Sequence, residues 1–399
     1  MSKRYLMGIL LAAVGIGGVC NALAAPGAEP KPPVVIGLTA EFGVAGSHAA
    51  QSIEKGIVLA IDEINAAGGV LGGRSLILEK RDDRGVPARA IDNFTELAAN
   101  RELVAVFCGR FSPVALEIQP LAARLRLPLL DPWAAADAIT QSRGGDSSYA
   151  FRLSLTDTWA METMLDHARA RGFRNMALFV PNTGWGRSNE AAMLAYAKRN
   201  REIRHDTVWY NWGEVDFADR LAQARAKGAQ ALIMVANEFE GLPIVKQMAA
   251  LPEASRMPII SHWGVLGGDF GAAMKPYQAQ VDYSVVHTFS FSDRRDARAQ
   301  LVAAGVKRLF GIEVSQLRAQ VGFAHAYDLT HLLAKAIARA GSTDRAAIHQ
   351  ALERLDAHDG LVRRYQKPFT PSRHEALERR DVSMARFDAD GNLKTIAGK

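Results

Sequence analysis

The chain of 399 residues is too long for one ordinary core, so we expect two domains. Its content of 48% hydrophobic and 23% charged residues is typical of a soluble globular protein. The formal net charge of +6 comes from basic residues scattered among acidic ones, which gives no basic arm or stripe for a nucleic-acid partner.

The N-terminus has the features of a targeting segment. The positive pair Lys3-Arg4 precedes an apolar run over residues 6–19 that is too short to span a bilayer comfortably. Ala22-Leu23-Ala24 then supplies a small-x-small cleavage pattern, so residues 1–24 are predicted to be a secretory signal peptide. Two alternatives stay open, namely an uncleaved membrane anchor and lipoprotein processing at Cys20.

Only one cysteine, Cys108, remains after cleavage of the signal peptide. A single cysteine excludes a disulfide framework, although the destination of the protein is oxidising. Cys108 ends the apolar run LVAVFC, so we expect a buried structural thiol. A nucleophilic role would need a positioned base, and no neighbouring residue supplies one.

Strand-like and helix-like stretches alternate along the mature chain. Val34–Leu38 is a short β-rich run, and isoleucines at positions 53, 57, 61 and 64 form one apolar stripe with helical spacing. Ser47 could cap this helix, and Gly68-Gly69 is predicted to end it, because glycine tolerates the left-handed conformation. The strands predicted after it are Ser75–Glu79, Val104–Cys108, Pro128–Leu130, Met176–Val180, Val208–Asn211, Ala231–Val235, Pro258–Ser261 and Val281–Thr288. The helices predicted after it are Ala88–Asn100, Pro113–Leu125, Trp159–Arg171, Glu190–Arg201, Phe217–Lys227, Leu242–Leu251 and Val321–Ala340.

This alternation predicts parallel sheets with both faces covered by helices. Sheets of this kind bind their ligands beyond the carboxyl ends of the strands. The loops that follow the predicted strands are therefore the candidate binding regions. They are residues 39–50, 109–113, 131–137, 181–187, 236–241 and 262–269.

Familiar catalytic motifs are missing from the sequence. It contains no G-x-x-x-x-G-K-[ST] phosphate loop, no G-x-S-x-G nucleophile elbow and no H-E-x-x-H zinc motif. The ten histidines lack metal-ligand spacing, and Asp82-Asp83 is interpreted as a solvated turn rather than as a metal pair. We therefore expect no catalytic residue, no cofactor and no metal.

A specific resemblance begins with GIVLAIDEINAAGGVLGGRSLILEKRDDRGVPARAIDNFTELA at residues 56–98. Together with VVIGLTAEFG at residues 34–43 and VAVFCGRFSPVALEIQPLAARLRLPLLDPWAAADAIT at residues 104–140, it resembles the first lobe of the Leu/Ile/Val-type periplasmic binding proteins. These are the substrate-binding subunits of branched-chain amino-acid-type ABC importers. The resemblance covers essentially the whole mature chain and is weakest in its C-terminal third.

The resemblance implies an α/β fold of two doubly wound, Rossmann-like lobes joined by a three-segment hinge, the type I periplasmic binding protein fold. Lobe 1 is expected to comprise residues 34–153 plus 288–362, and lobe 2 residues 154–287 plus 363–399. Ligand binding in such a protein shifts the population from an open to a closed form, which a membrane permease can recognise. The family carries out no chemical step and its members are usually monomers, so we expect a non-catalytic, monomeric protein.

Several site residues are implied by their positions in the resemblance. Ser112 lies where the family places a hydroxyl that bonds the ligand carboxylate, although it could only cap the helix that follows. Trp133 and Ala135 fall in the loop whose backbone groups grip that carboxylate, and a tryptophan there implies either an aromatic pocket wall or a residue packed in the lobe core. Trp185 matches an aromatic residue that covers the ligand from the second lobe, with packing in a turn as the alternative.

Two acidic residues and the first loop supply further candidates. Glu238 could receive an ammonium or another donor group of the ligand, or it could be a solvated loop residue. Asp157 could hold a ligand amine, or it could cap the helix that begins near Trp159, and the cap is the preferred interpretation. Ser47 and Phe42 in the first loop are weaker candidates for contact with the ligand.

One departure from the family concerns the identity of the ligand. Amino-acid-binding members place an acid after the strand that ends near His262, where it pairs the α-ammonium, and Trp263 occupies the matching position here. A buried ammonium would then lack its usual partner unless Glu238 or Asp157 substitutes. An amino acid, an amide and an aromatic or other carboxylic acid therefore all stay open as ligands.

The function predicted is that of the periplasmic substrate-binding subunit of an ABC importer, which captures a small polar or carboxylate-bearing solute. The alternative is a ligand-binding sensor that presents its closed form to a membrane receptor or sensor kinase. Both would use the same fold and the same site, so the sequence alone leaves the choice open.

Overall fold

The structure is a computed structural model that describes residues 31–141 and 148–396. The predicted signal peptide at residues 1–24, with Cys20, lies outside the described residues. Within the two described ranges, no helix is long and apolar enough to cross a membrane.

Five parallel strands form the first sheet, in the order β2-β1-β3-β4-β5. They are β1 Val34–Ala40, β2 Leu76–Asp82, β3 Leu103–Cys108, β4 Leu129–Asp131 and β5 Ala150–Arg152. The helices between them are α1 Ala49–Ala66, α2 Pro87–Ala98 and α3 Ser112–Arg124. β1 and β3 are buried along their whole length, as expected for strands that helices cover on both faces.

The chain then builds a second sheet. Its parallel strands are β6 Asn175–Pro181, β7 Arg204–Tyr210, β8 Ala231–Met234, β9 Ile259–Ser261 and β10 Tyr283–His287. The helices of this region are α4 Asp157–Ala170, α5 Gly184–Arg199, α6 Ala218–Ala226, α7 Glu238–Ala250 and the short α8 Phe270–Met274.

The chain returns to the first sheet before it finishes on the second. The returning elements are α9 Ala297–Phe310, α10 Gln320–Ala340, α11 Arg345–Leu352 and the two-stranded pair β11 His358–Asp359 and β12 Arg364–Tyr365. The final strands, β13 Ser383–Phe387 and β14 Leu393–Thr395, join antiparallel at the edge of the second sheet. The order of that sheet is β14-β13-β10-β9-β8-β6-β7.

The returning helix α10 packs tightly on α1. Gly56 of α1 makes this approach possible, because a Cβ at that position would lie 2.2 Å from the carbonyl oxygen of Phe323. The two helices therefore meet backbone to backbone, and α10 belongs with the first sheet.

The connections confirm the predicted fold class of two doubly wound lobes joined by three segments. The chain passes from one sheet to the other after β5, after β10 and between β12 and β13. We call the part built on the first sheet the first lobe and the part built on the second sheet the second lobe. The residue bounds given for the lobes above stay predictions.

Several helix positions differ from their predictions. α5 and α7 begin six and four residues earlier than expected, at Gly184 and Glu238. Thr183 explains the early start of α5, because its hydroxyl accepts a hydrogen bond from Gly186 N. α9 and α11 were not predicted. Asp296 and Asp344 cap them, because each carboxylate accepts a hydrogen bond from the backbone N–H three residues further along the chain.

Local predictions around α1 and β3 have mixed outcomes. Gly68 and Gly69 have φ angles of +103° and +70° just beyond the end of α1, which confirms the predicted stop. The predicted cap at Ser47 is wrong, because His48 occupies the N-cap position and no side chain caps α1. Cys108 is fully buried as predicted, and burial raises the pKa of its thiol.

Candidate functional site

A narrow cavity lies between the carboxyl ends of the two sheets. The first lobe contributes Arg110, Phe111, Ser112, Trp133 and Ala135, and the second lobe contributes Trp185, Trp212, Asn237, Trp263 and Gly264. The cavity has a volume of about 10 Å³, which is room for about one water molecule. The structure is therefore a closed form, and a larger ligand can enter only when the lobes separate.

Two tryptophans from opposite lobes meet in this cavity. The rings of Trp133 and Trp263 have centroids 5.6 Å apart and are tilted by 42°. Both side chains are almost completely buried. Trp133 also lies against Gly322 of α10, where a Cβ would approach its ring to 2.5 Å. Trp133 thus packs against its own lobe and lines the cavity at the same time, so the two interpretations of this residue are compatible.

The Ser112 hydroxyl faces the loop that follows β4. Ser112 Oγ accepts hydrogen bonds from Ala135 N at 3.1 Å and from Ala136 N at 3.2 Å. The capping interpretation of Ser112 is wrong, because α3 begins at Ser112 itself, with Phe111 at the N-cap. A hydroxyl has two acceptor positions and one donor, so the Ser112 O–H remains available to a ligand acceptor.

Arg110 forms an ion pair across the cleft that was not predicted. Its Nη1 and Nη2 donate to Glu238 Oε2 at 2.7 Å and to Oε1 at 2.9 Å. Arg110 Nε lies 3.6 Å from Glu41 Oε1 within the first lobe. All three side chains are buried. Burial raises the pKa of the Glu41 carboxyl, and the Arg110 guanidinium beside it partly offsets that effect.

The solvated-loop interpretation of Glu238 is therefore wrong. Glu238 is the first residue of α7 and only 8% exposed. Both of its oxygens are occupied by Arg110. The loop after β3 had been identified as a candidate region, but no local pattern could have shown which distant acid pairs with Arg110.

Asp157 also has protein partners. Its Oδ1 accepts from Trp185 Nε1 at 3.0 Å and lies 3.1 Å from His262 Nε2, and all three side chains are buried. The preferred interpretation of Asp157 as a helix cap is wrong, because Thr156 occupies the N-cap and accepts from Trp159 N. Asp157 instead holds the Trp185 ring at the wall of the cavity.

The first loop contributes less than predicted. Phe42 and Ser47 do not line the cavity. Phe42 is half-buried, and the Lys80 ammonium lies 5.1 Å from its ring centroid. Ser47 is buried, and its Oγ has no hydrogen-bond partner among the residues described. A role of either residue in ligand contact stays a prediction.

Phe111 and Trp212 are additional lining residues that were not predicted. Their rings have centroids 5.2 Å apart, and they close one end of the cavity from opposite lobes. Trp212 Nε1 is buried without a hydrogen-bond partner in the described part of the chain. An unused N–H at a cavity wall is a donor for a bound acceptor.

Asp83, beyond the end of β2, is not part of a solvated turn, so that interpretation is wrong. Its side chain is 1% exposed and accepts from Thr39 Oγ1 at 3.0 Å and from Gly85 N at 2.7 Å. Burial, together with the nearby carboxylate of Glu41, raises the pKa of Asp83 to about 7.

This raised pKa predicts a pH-dependent stability. Between about pH 4 and pH 7 the unfolded chain ionises Asp83 while the folded protein keeps it protonated, so the free energy of unfolding falls as the pH rises. Asp83→Asn removes this titration and keeps acceptor and donor groups for Gly85 and Thr39. From pH 5 to pH 8, the free energy of unfolding of the variant should rise by about 2 kcal/mol relative to that of the wild type, measured by urea denaturation. If the free energies of unfolding of the variant and the wild type differ by the same amount at both pH values, the raised pKa of Asp83 is contradicted.

Comparisons with known proteins agree with this architecture. The family model for periplasmic binding proteins matches residues 33–392. Leu/Ile/Val-binding protein homolog 3 of Brucella melitensis is 23% identical over 356 residues, which cover 88% of this chain and 89% of that protein. A type 1 periplasmic binding protein from Bordetella pertussis has a similar fold, with a TM-score of 0.78 at 20% identity over 91% of this chain and all of that one.

A further structural neighbour is a solute-binding protein of an ABC transporter from R. palustris, solved in complex with 4-hydroxybenzoate. Its TM-score is 0.76 at 18% identity, over 91% of this chain and 96% of that one. The resemblance to the Leu/Ile/Val-type proteins is thereby confirmed. The chain belongs to the periplasmic binding protein family.

Proposed function

We propose that this protein is the periplasmic, non-catalytic substrate-binding subunit of an ABC importer, and that its ligand is a small carboxylic acid with a flat apolar body. The observation that carries this proposal is the cavity between the lobes, with indole rings on its walls and unused hydrogen-bond donors beside them. Such a site suits a ligand that has an aromatic ring at one end and an anion at the other.

The charges around the cavity favour an anion over an ammonium. Glu238 is neutralised by Arg110, and Asp157 accepts from the Trp185 indole. Glu238 has no oxygen left for a ligand amine, and Asp157, whose Oδ2 has no partner among the described residues, does not line the cavity. The Ser112 hydroxyl and Trp212 Nε1 are donors without an acceptor among the described residues, and a carboxylate supplies acceptors for both.

The tryptophan pair favours a planar ligand. Trp133 and Trp263 belong to different lobes, so opening the cleft separates their rings. A ring placed between them needs their planes to part to about 7 Å, twice an ordinary carbon–carbon contact. The 4-hydroxybenzoate bound by the R. palustris relative is a compound of this shape and charge.

A ligand screen by thermal shift tests the proposal. Benzoate and 4-hydroxybenzoate should raise the melting temperature of the mature protein by mass action. Benzamide is the matched control, since it has nearly the same shape without the charge, and leucine tests the amino-acid alternative. Stabilisation by leucine or benzamide in preference to both benzoates would overturn the proposed ligand class.

Ser112 provides a sharper test within the site. Ser112→Ala should weaken benzoate-type ligands by about 1–3 kcal/mol, because it removes the donated O–H and leaves Ala135 N and Ala136 N without their acceptor. Ser284→Ala is the control, since Ser284 is buried but does not line the cavity. Calorimetric titration of both variants checks this. Equal losses in the two variants would remove Ser112 from the site.

A further inference from the structure

Three potential metal ligands converge in the first lobe, outside the cavity between the lobes. They are His349 in α11, Glu353 just beyond that helix, and His374 in the segment that leads towards β13. One ligating atom from each lies within 4.8 Å of the others, and the side chains are only 5–10% exposed. The spacing of the histidines predicted no metal site, because the fold and not the local sequence brings His374 to the other two.

The hydrogen bonds of His374 leave an electron pair directed at a carboxylate. His374 Nδ1 lies 3.0 Å from the carbonyl oxygen of Ala150, which can only accept, so this nitrogen carries the ring hydrogen. Nε2 then presents its lone pair towards Glu353 Oε1 at 3.2 Å. Two electron-pair donors facing each other at this distance repel, and either a proton or a metal cation placed between them turns the repulsion into attraction.

His349 completes the triangle around this position. Its Nε2 lies 3.8 Å from the same Glu353 oxygen and 2.9 Å from the carbonyl oxygen of Ser148. Ligands at 2.0–2.1 Å from a tetrahedral zinc ion are about 3.3 Å apart. The Glu353 oxygen lies 3.2 and 3.8 Å from the two histidine nitrogens, and no pair of the three atoms is more than 4.8 Å apart. Because the Ser148 carbonyl can only accept, His349 Nε2 carries the ring hydrogen in the ion-free protein, and this nitrogen becomes a ligand when the hydrogen moves to Nδ1 and the bond to Ser148 is exchanged for the ion.

Both imidazole rings are held in place by aromatic neighbours. The His374 ring stacks on Phe151 with centroids 4.1 Å apart and an angle of 17°. The His349 ring stacks on Tyr149, also at 4.1 Å. The bond from His374 Nδ1 to Ala150 orients its ring as the outer partners of metal-bound histidines do. The positions of both rings are therefore fixed before an ion binds.

We propose that His349, Glu353 and His374 form a binding site for a divalent first-row transition ion, with Zn²⁺ as the best match. Two imidazole nitrogens and one carboxylate oxygen suit Zn²⁺ and its neighbours in the series, whereas Mg²⁺ and Ca²⁺ prefer sites made only of oxygen. The ion binds in the first lobe and takes no part in ligand capture.

The position of the site predicts a structural effect. His374 lies in the third segment that joins the lobes, and its carbonyl accepts from Arg152 N at 2.8 Å beside β5. A bound ion would tie this segment to α11. We therefore expect Zn²⁺ to raise the melting temperature of the first lobe by mass action.

Calorimetric titration of tag-free, EDTA-stripped mature protein with Zn²⁺ tests the site. The expected result is one ion per chain, together with visible absorption on Co²⁺ substitution. Glu353→Gln keeps the size of the side chain and should weaken binding by a factor on the order of 100. His349→Asn removes a second ligand and should do the same, so that a folding defect in one variant does not decide the result.

His331→Gln is the matched control. It changes another histidine–glutamate pair of the same lobe, in which His331 Nε2 lies 3.1 Å from Glu63 Oε2, and binding should be unchanged. Failure of the wild-type protein to bind Zn²⁺ would overturn the proposal. Undiminished binding by both folded ligand variants would overturn it as well, because the ion would then lie elsewhere.

Discussion

Arg110→Ala is expected to shift the protein towards the open form. The substitution leaves Glu238 buried in the closed cleft without its counter-charge, and losing one partner of a buried ion pair costs about 3–5 kcal/mol. Because Glu238 belongs to the second lobe and regains water when the lobes part, the cost falls on the closed form. The ratio of closed to open molecules should fall by at least about 100-fold. With 4-hydroxybenzoate present at a concentration that closes the wild-type protein, the radius of gyration of the variant measured by small-angle X-ray scattering should be larger than that of the wild type.

A second arginine provides the control for this experiment. Arg318 pairs with Asp269 across the lobes, but both side chains are about half exposed. Exposed pairs contribute about 0–1 kcal/mol, so Arg318→Ala should leave the radius of gyration almost unchanged. If Arg110→Ala scatters like the wild type, or if both variants open equally, burial of the Arg110 pair is not what stabilises closure.

Arg152→Met is expected to destabilise the first lobe strongly. The Arg152 guanidinium is fully buried and donates to both oxygens of Glu375, at 2.8 and 2.7 Å, and to Ala136 O at 2.8 Å. Methionine fills part of the space but leaves the carboxylate and the carbonyl without donors. A loss of about 3–5 kcal/mol follows. For a lobe of this size, the melting temperature should fall by about 10 °C, measured by circular dichroism.

The effect of Arg152 should depend on its burial and not on its charge. Arg379→Met removes an arginine that is 34% exposed and pairs with Glu162 and Asp166 at the surface. This control should lower the melting temperature by no more than a few degrees. A comparable drop in both variants would contradict the special role assigned to Arg152.

The sequence predicts the lobe architecture because local signals agree along the chain. The isoleucine stripe of α1, the glycines beyond it and the apolar runs at β1 and β3 each identify one element. The contact of α1 with α10 was not predictable in this way. It depends on Gly56 meeting the backbone of Phe323, which lies more than 260 residues along the chain.

In the cleft, too, contacts between residues distant in sequence were not predictable from local signals. Trp133, Trp185, Trp263, Ser112 and Ala135 were named from family positions, and the structure gathers them around one cavity. Arg110 was missed because its importance comes from partners that follow different strands, and nothing in its neighbouring sequence encodes them. The burial of Asp83 was not predicted for a related reason, since the elements that pack over a turn decide whether it is buried.

The most direct test of the central claim is small-angle X-ray scattering of the mature protein with and without a saturating aromatic carboxylate. We predict that benzoate or 4-hydroxybenzoate reduces the radius of gyration towards that of the closed structure, and that benzamide does not. An aromatic acid that binds without any change in the radius of gyration, or a wild-type protein that closes only on leucine, would contradict it.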